Sequence, residues 1–135
     1  MITGRCLCNQ VAYEYRGTPL FQVICCCEDC QRASGSSHVP VMGANKSEFA
    51  VTAGTTKTYV STGGSGKQSI RHFCADCGSL LFGTPEVANE MVTIYAGSLD
   101  DKSLFTPTSV IFGRSKVHWE VFDQSMAVFE ALPKR

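Results

Sequence analysis

FCADCGSLLF, residues 73–82, sets two cysteines three positions apart, follows them with glycine and runs on into an apolar stretch. A turn of this kind aims both thiols at one point, and Gly78 permits the tight backbone that comes after it. Such a pair is half of a tetrahedral metal site, so the chain should carry the other half elsewhere. Residues 4–10, GRCLCNQ, offer it. In an extended segment, positions i and i+2 share a face, so Cys6 and Cys8 converge while Leu7 points away into the core. Cys6, Cys8, Cys74 and Cys77 together supply four thiolates, the closed set of a structural zinc. That site would tie the N-terminal strand to the middle of the chain. Closing so long a loop is entropically costly, and metal binding offsets the cost.

The remaining cysteines crowd into ICCCEDC, residues 24–30. Alternation puts Cys25 and Cys27 on one face, and a turn through Glu28 and Asp29 returns Cys30 to them. Cys26 points the other way and reads better as a small buried hydrophobe than as a ligand. Three thiolates leave one tetrahedral position open, the arrangement of catalytic rather than structural zinc. His38, His72 and Asp29 are the side chains that could close it. His38, just past a short helical turn, is the most serious of these, whereas His72 beside Cys74 reads as a packing or supporting residue.

A zinc held by three thiolates is a net anion, a poorer Lewis acid than one held by three histidines, and it acidifies water less. It suits a sulfur ligand, and a thiol bound there would be deprotonated and positioned as a nucleophile.

Composition limits the alternatives. The chain has 135 residues, with twelve basic and twelve acidic side chains that cancel. That length fits one domain spanning 1–135 with a sizeable core. Zero net charge recruits neither nucleic acid nor an anionic membrane surface. No secretion signal or membrane-length apolar run is present, so a cytoplasmic protein is expected. In a reducing cytosol, clustered cysteines bind metal or do redox chemistry rather than form disulfides.

Period-two patterning predicts a β-rich architecture. Val11, Tyr13 and Tyr15 share one face of QVAYEYR (10–16), and 20–25, 48–52, 56–61, 69–73, 79–83 and 91–97 read as strands in the same way. The Gly-rich STGGSGKQS (61–69) is a hairpin tip, lacking the spacing of a phosphate loop. Short helical turns are expected at 27–34 and 100–105. In the tail, Phe122, Met126 and Phe129 stand at helical spacing, but an extended packing segment fits equally.

Five stretches in this order, GRCLCNQVAYEY, CCCEDCQRASGS, EFAVTAGTTKTYVS, HFCADCGSLLF and GRSKVHWEVFD, resemble the glutathione-dependent formaldehyde-activating enzyme family, which includes the centromere protein V type. The resemblance covers essentially the whole chain. It implies a mainly β, Mss4-like fold of several small coiled antiparallel sheets stabilised by two zincs. The structural zinc maps onto Cys6, Cys8, Cys74 and Cys77, and the catalytic zinc onto Cys25, Cys27 and Cys30. The implied reaction joins glutathione to formaldehyde as S-(hydroxymethyl)glutathione, a carbon–sulfur lyase reaction read in reverse.

Two departures stand out. Cys26 occupies a position where the family usually has histidine, and Asn9 one where it favours glycine; asparagine tolerates a left-handed backbone. Members that gave the family its name are longer, which bears on the glutathione contacts. Arg32, just after Cys30, is the best-placed cation for a glutathione carboxylate, while Arg71, Arg114 and Lys116 read as solvated surface charges. Trp119 and Phe122 either line a pocket or pack in the core. The rival to an enzyme is a zinc-stabilised binding module of the same fold without turnover. Redox or iron–sulfur chemistry is disfavoured by the complete pairing of Cys6, Cys8, Cys74 and Cys77.

Overall fold

The structure is a computed structural model that describes residues 1–63 and 66–133. Its elements in chain order are β1 (Ile2–Arg5), β2 (Ala12–Tyr15), β3 (Phe21–Cys25), α1 (Glu28–Ser34), β4 (Val39–Asn45), β5 (Phe49–Ala53), β6 (Thr56–Thr62), β7 (Gln68–Cys74), β8 (Leu80–Pro85), β9 (Met91–Tyr95), β10 (Ser109–Ile111) and β11 (Ala127–Val128). Short 3₁₀ turns join several of them, one at Lys102–Leu104 within the expected helical stretch. Every stretch with clear alternation is a strand, and residues 64 and 65 of the Gly-rich tip lie outside the described residues.

Two sheets form. One is three-stranded in the order β1-β2-β5, and the other is eight-stranded in the order β11-β10-β3-β4-β9-β8-β7-β6. Neighbours pair antiparallel, with one departure: β10 runs parallel to both β3 and β11. The tail is therefore extended, and Val128 pairs with Val110 instead of continuing a helix.

Alternation explains the packing. Val11, Tyr13 and Tyr15 turn inward from the small sheet onto Met42, Ala44, Leu81, Val92 and Ile94 of the large one, and Cys6 and Cys74 belong to this same core. A second cluster on the other side of β4 gathers Val23, Val39, Val41 and Tyr95 around Cys25 and Cys30. Because β4 is buried on both faces, its sequence, VPVMGAN, carries no period-two signal. Pro40 is tolerated because the ladder to β9 begins only at Val41.

The β7–β8 pairing shifts register between His72 and Phe73, placing Leu81 as an extra residue just past the cysteine knuckle. A bulge of this kind re-aims a side chain, and Leu81 is fully buried in the main core. Its truncation leaves a cavity that neighbouring strands cannot close. Leu81→Ala should lose about 3 kcal/mol of unfolding free energy, read from urea denaturation of the metal-loaded protein.

Candidate metal centre

Cys6 and Cys8 sit in a turn rather than a strand. β1 ends at Arg5, Asn9 donates its N–H to the Cys6 carbonyl at 3.2 Å, and Asn9 takes the left-handed conformation at φ 68°. Strand alternation therefore does not apply, and Leu7, expected in the core, is 85% exposed. The sulfurs converge all the same. Cys8 Sγ lies 3.7 Å from Cys6 Sγ and 3.7 Å from Cys74 Sγ, and all four sulfurs fall within 4.8 Å of one another.

The knuckle supplies the other pair as its glycine predicts. Gly78, at φ 75°, donates to the Cys74 carbonyl at 2.9 Å, and Cys74 N–H donates to Ser79 O at 3.0 Å. Ser79 joins the halves. Its hydroxyl oxygen accepts from Leu7 N–H at 3.0 Å and lies 3.2 Å from Cys77 Sγ. That hydroxyl, with the Ser79 N–H, pulls the Cys77 thiol down to about 5. Val11 N–H points at Cys6 Sγ at 3.2 Å. Cys6 and Cys77 are thus held toward the thiolate, whereas Cys8, despite a bond from the Gln10 backbone, is pushed up to about 12 by desolvation and the neighbouring sulfurs.

Cys25 ends β3, while Cys27 caps α1, its Sγ accepting from Cys30 N–H at 3.3 Å. One turn of helix then returns Cys30, whose Sγ lies 3.5 Å from Cys25 Sγ. The three sulfurs lie within 4.8 Å of one another. Thiols of Cys25 and Cys30 bond the Cys27 sulfur and, against the cost of burial, hold it down to about 2. The same closeness pushes Cys25 up. One thiolate is therefore easy here and three are not, unless a cation joins them. Cys26 faces away, fully buried among Ile24, Val110, Phe105, Phe122 and Met126.

Both donor sets fit a tetrahedral metal ion. A metal–sulfur distance of about 2.3 Å places tetrahedral ligand sulfurs about 3.8 Å apart, and the 3.5–3.7 Å separations here are within a few tenths of that. All eight cysteines are free thiols. Among the described residues no histidine or carboxylate joins the cluster of three. His38 instead turns Nδ1 to the Glu120 carboxylate, which also accepts from Ser37 Oγ at 2.9 Å. His72 stacks on Phe82 with ring centroids 4.3 Å apart and bonds Thr84 Oγ1 at 3.0 Å, which is a packing role.

The cations sort differently from expectation. Arg71 is not a surface charge: it is buried, with Nη2 3.9 Å from Cys30 Sγ and Nη1 donating to Ser61 Oγ at 3.2 Å. Alternation in SIRHF placed it opposite Ile70 and His72, but nothing in the sequence marked that face as buried. Arg32 is exposed and lines an open depression of about 520 Å³ with Glu28, Gln31 and Trp119. Trp119 is 65% exposed there, whereas Phe122 packs in the core. A second, narrower cavity of about 230 Å³ is lined by His38, Val39, Leu80, Tyr95 and Ser98. Val39 and Tyr95 share one buried apolar cluster with Cys25 and Cys30, and Leu80 and Cys27 pack against it.

A family model described as glutathione-dependent formaldehyde-activating enzyme matches residues 1–115. The chain belongs to that family. A crystal structure of a Rhodobacter sphaeroides protein, a structural-genomics target, aligns with a TM-score of 0.57 at 20% identity, covering 73% of this chain and 87% of the other. At that identity the likeness is one of fold. No curated protein matches the sequence. The formaldehyde-activating family span takes in all eight cysteines and His38, but stops short of Trp119 and Glu120.

Elemental analysis of protein purified under reducing conditions should find about two metal ions per chain. Cys6→Ser should unfold or aggregate the protein, because its cluster joins two sheets. Cys27→Ser should lose one equivalent of metal and keep the fold. Equal falls in thermal stability for the two variants would contradict this division.

Proposed function

We propose that the chain is a zinc enzyme that makes and breaks a carbon–sulfur bond between a small thiol, glutathione or a close relative, and a small aldehyde such as formaldehyde. Cys6, Cys8, Cys74 and Cys77 hold a structural zinc, and Cys25, Cys27 and Cys30 hold the second. The observation that carries this reading is the incomplete donor set: three sulfurs converge, and among the described residues no fourth side chain joins them. Zinc bound to three thiolates supplies a soft acid that favours the ionised form of a further sulfur at neutral pH.

In the forward direction a sulfur–carbon bond forms, the carbonyl π bond opens, and the thiol proton ends on the former carbonyl oxygen; cleavage is the reverse. Two side chains of the narrow cavity can handle that proton. Burial pushes Tyr95 up to about 12, so it keeps its own proton and serves as a donor. His38 is oriented through Nδ1 by Glu120, which leaves Nε2 to accept the proton and return it, a role that typically contributes a factor of ~100 or more. Arg32 and the depression beside it receive a substrate carboxylate. Ser36 lines both cavities, so a peptide-sized thiol bound over Arg32 reaches the narrow one along that loop.

One observation favours a second reading, a zinc-stabilised binding module without turnover. Cys25 and Cys30 are buried, and of the three only Cys27 is partly open. Exchange NMR on glutathione and formaldehyde separates the two. The zinc-loaded protein should speed interconversion with S-(hydroxymethyl)glutathione above the uncatalysed rate. Cys27→Ser should abolish the gain, and His38→Ala should cut it ~100-fold with metal content unchanged. No acceleration at full zinc occupancy would leave the module reading standing.

A further inference from the structure

Arg71 is the one buried charged side chain among the described residues, 9% exposed. A guanidinium withdrawn from water normally has a carboxylate against it, because an uncompensated buried charge is strongly unfavourable. Arg71 has none: no Asp or Glu forms an ion pair with it among the described residues. Its Nη1 has a neutral hydroxyl, Ser61 Oγ, its Nη2 faces Cys30 Sγ at 3.9 Å, and its Nε has no hydrogen-bond partner. The group its outer end meets in place of a carboxylate is therefore a sulfur, Cys30 Sγ.

The strand beside it makes room for the Tyr95 hydroxyl. Arg71 on β7 pairs with Gly83 on β8, which in turn pairs with Thr93 on β9. A Cβ at Gly83 would come within 2.5 Å of Thr93 Oγ1 and 2.7 Å of the Tyr95 hydroxyl. The missing side chain keeps that strip thin and lets the Tyr95 hydroxyl lie over it. Tyr95 also packs on Cys25 and Cys30 and lines the narrow cavity. One buried cation thus stands beside both the sulfur cluster and the wall of the cavity.

Charge balance gives the arrangement a purpose. Three thiolates around a divalent cation carry a net charge of minus one, and a fourth thiolate makes it minus two. We infer that Arg71 is the counter-charge built into the three-cysteine centre, a positioning residue that sets how tightly the centre holds a divalent metal and lets an anionic sulfur approach it. This rests on the reading of Cys25, Cys27 and Cys30 as a metal site. The sulfurs of the four-cysteine cluster are met instead by the Val11 N–H and the Ser79 hydroxyl.

The test is zinc affinity, measured on the full chain by competition with a chromophoric chelator, with cobalt substitution to follow thiolate-to-metal charge-transfer absorption at each site. Arg71→Met keeps the apolar stem and removes the charge. It should weaken the second equivalent of zinc 10–100-fold while the first binds as in the wild type. Arg71→Lys, which keeps the charge and loses the fork, should recover most of that affinity. Ser61→Asp, at a half-buried position of the mostly exposed edge strand β6, sets a carboxylate against Nη1 and should reproduce the selective loss with the arginine in place, which serves if Arg71→Met does not fold. Glutathione added to the cobalt-loaded Ser61→Asp protein should perturb the charge-transfer band only at concentrations ~10-fold above those needed for the wild type.

Equal affinities at the second site in wild type, Arg71→Met and Ser61→Asp would overturn the assignment of Arg71 alone. Parallel weakening of both sites would show a role in folding instead. A wild-type chain that takes up one equivalent of zinc would overturn the metal reading itself, and this inference with it.

Discussion

Sulfurs brought to within 4.8 Å of one another from turns far apart in the chain present a problem of like charge. As thiols they pack tolerably; as thiolates they repel, and no arrangement of hydrogen bonds neutralises four of them. A divalent cation would resolve this, and the fold brings the sulfurs together where one could bind. The first turn of the chain and the knuckle between β7 and β8 meet at the seam where the small sheet covers the large one. Cys6 and Cys74 are core residues there as well as ligand candidates. The hydrophobic interior and the sulfur cluster are thus one structure, so losing either exposes the other.

The second cluster obeys different rules. Its sulfurs come from a strand end and one turn of helix, so local structure assembles them almost unaided. What needs long-range order is the environment: Arg71 from β7, Tyr95 from β9, and His38 held by Glu120 from the tail. The site is assembled locally and tuned at a distance. This division matches a centre whose ligands must be present but whose charge and access must be controlled.

Much of this was readable from residue spacing. The cysteine groups and seven strands follow from periods of two and three, because those periods reflect backbone geometry alone. β4 escaped because burial on both faces erases alternation, and β10 and β11 because they are two or three residues long. Leu7 was misplaced because a turn replaced an assumed strand. Arg71 was taken for a surface charge because an arginine in an alternating strand shows which face it shares but not which face is covered. That depends on α1 arriving from another part of the chain with Cys30. Glu120 carried no signal, as its significance lies wholly in its contact with His38.

The spacing of the two clusters along the chain also orders them in time. The three-cysteine group is complete once residue 30 has left the ribosome, whereas the four-cysteine group waits for residue 77, with Cys8 and Cys74 separated by 66 positions. Closing the longer loop carries the greater entropic cost, and contacts of that span form late in folding. A nascent chain therefore exposes a competent trio of thiols before it has a core to protect them. For a chain that binds metal as proposed, metal supply during synthesis would then bear on yield as well as on the stability of the finished form. Scarcity or oxidants would act first on Cys25, Cys27 and Cys30, two of which finish up buried.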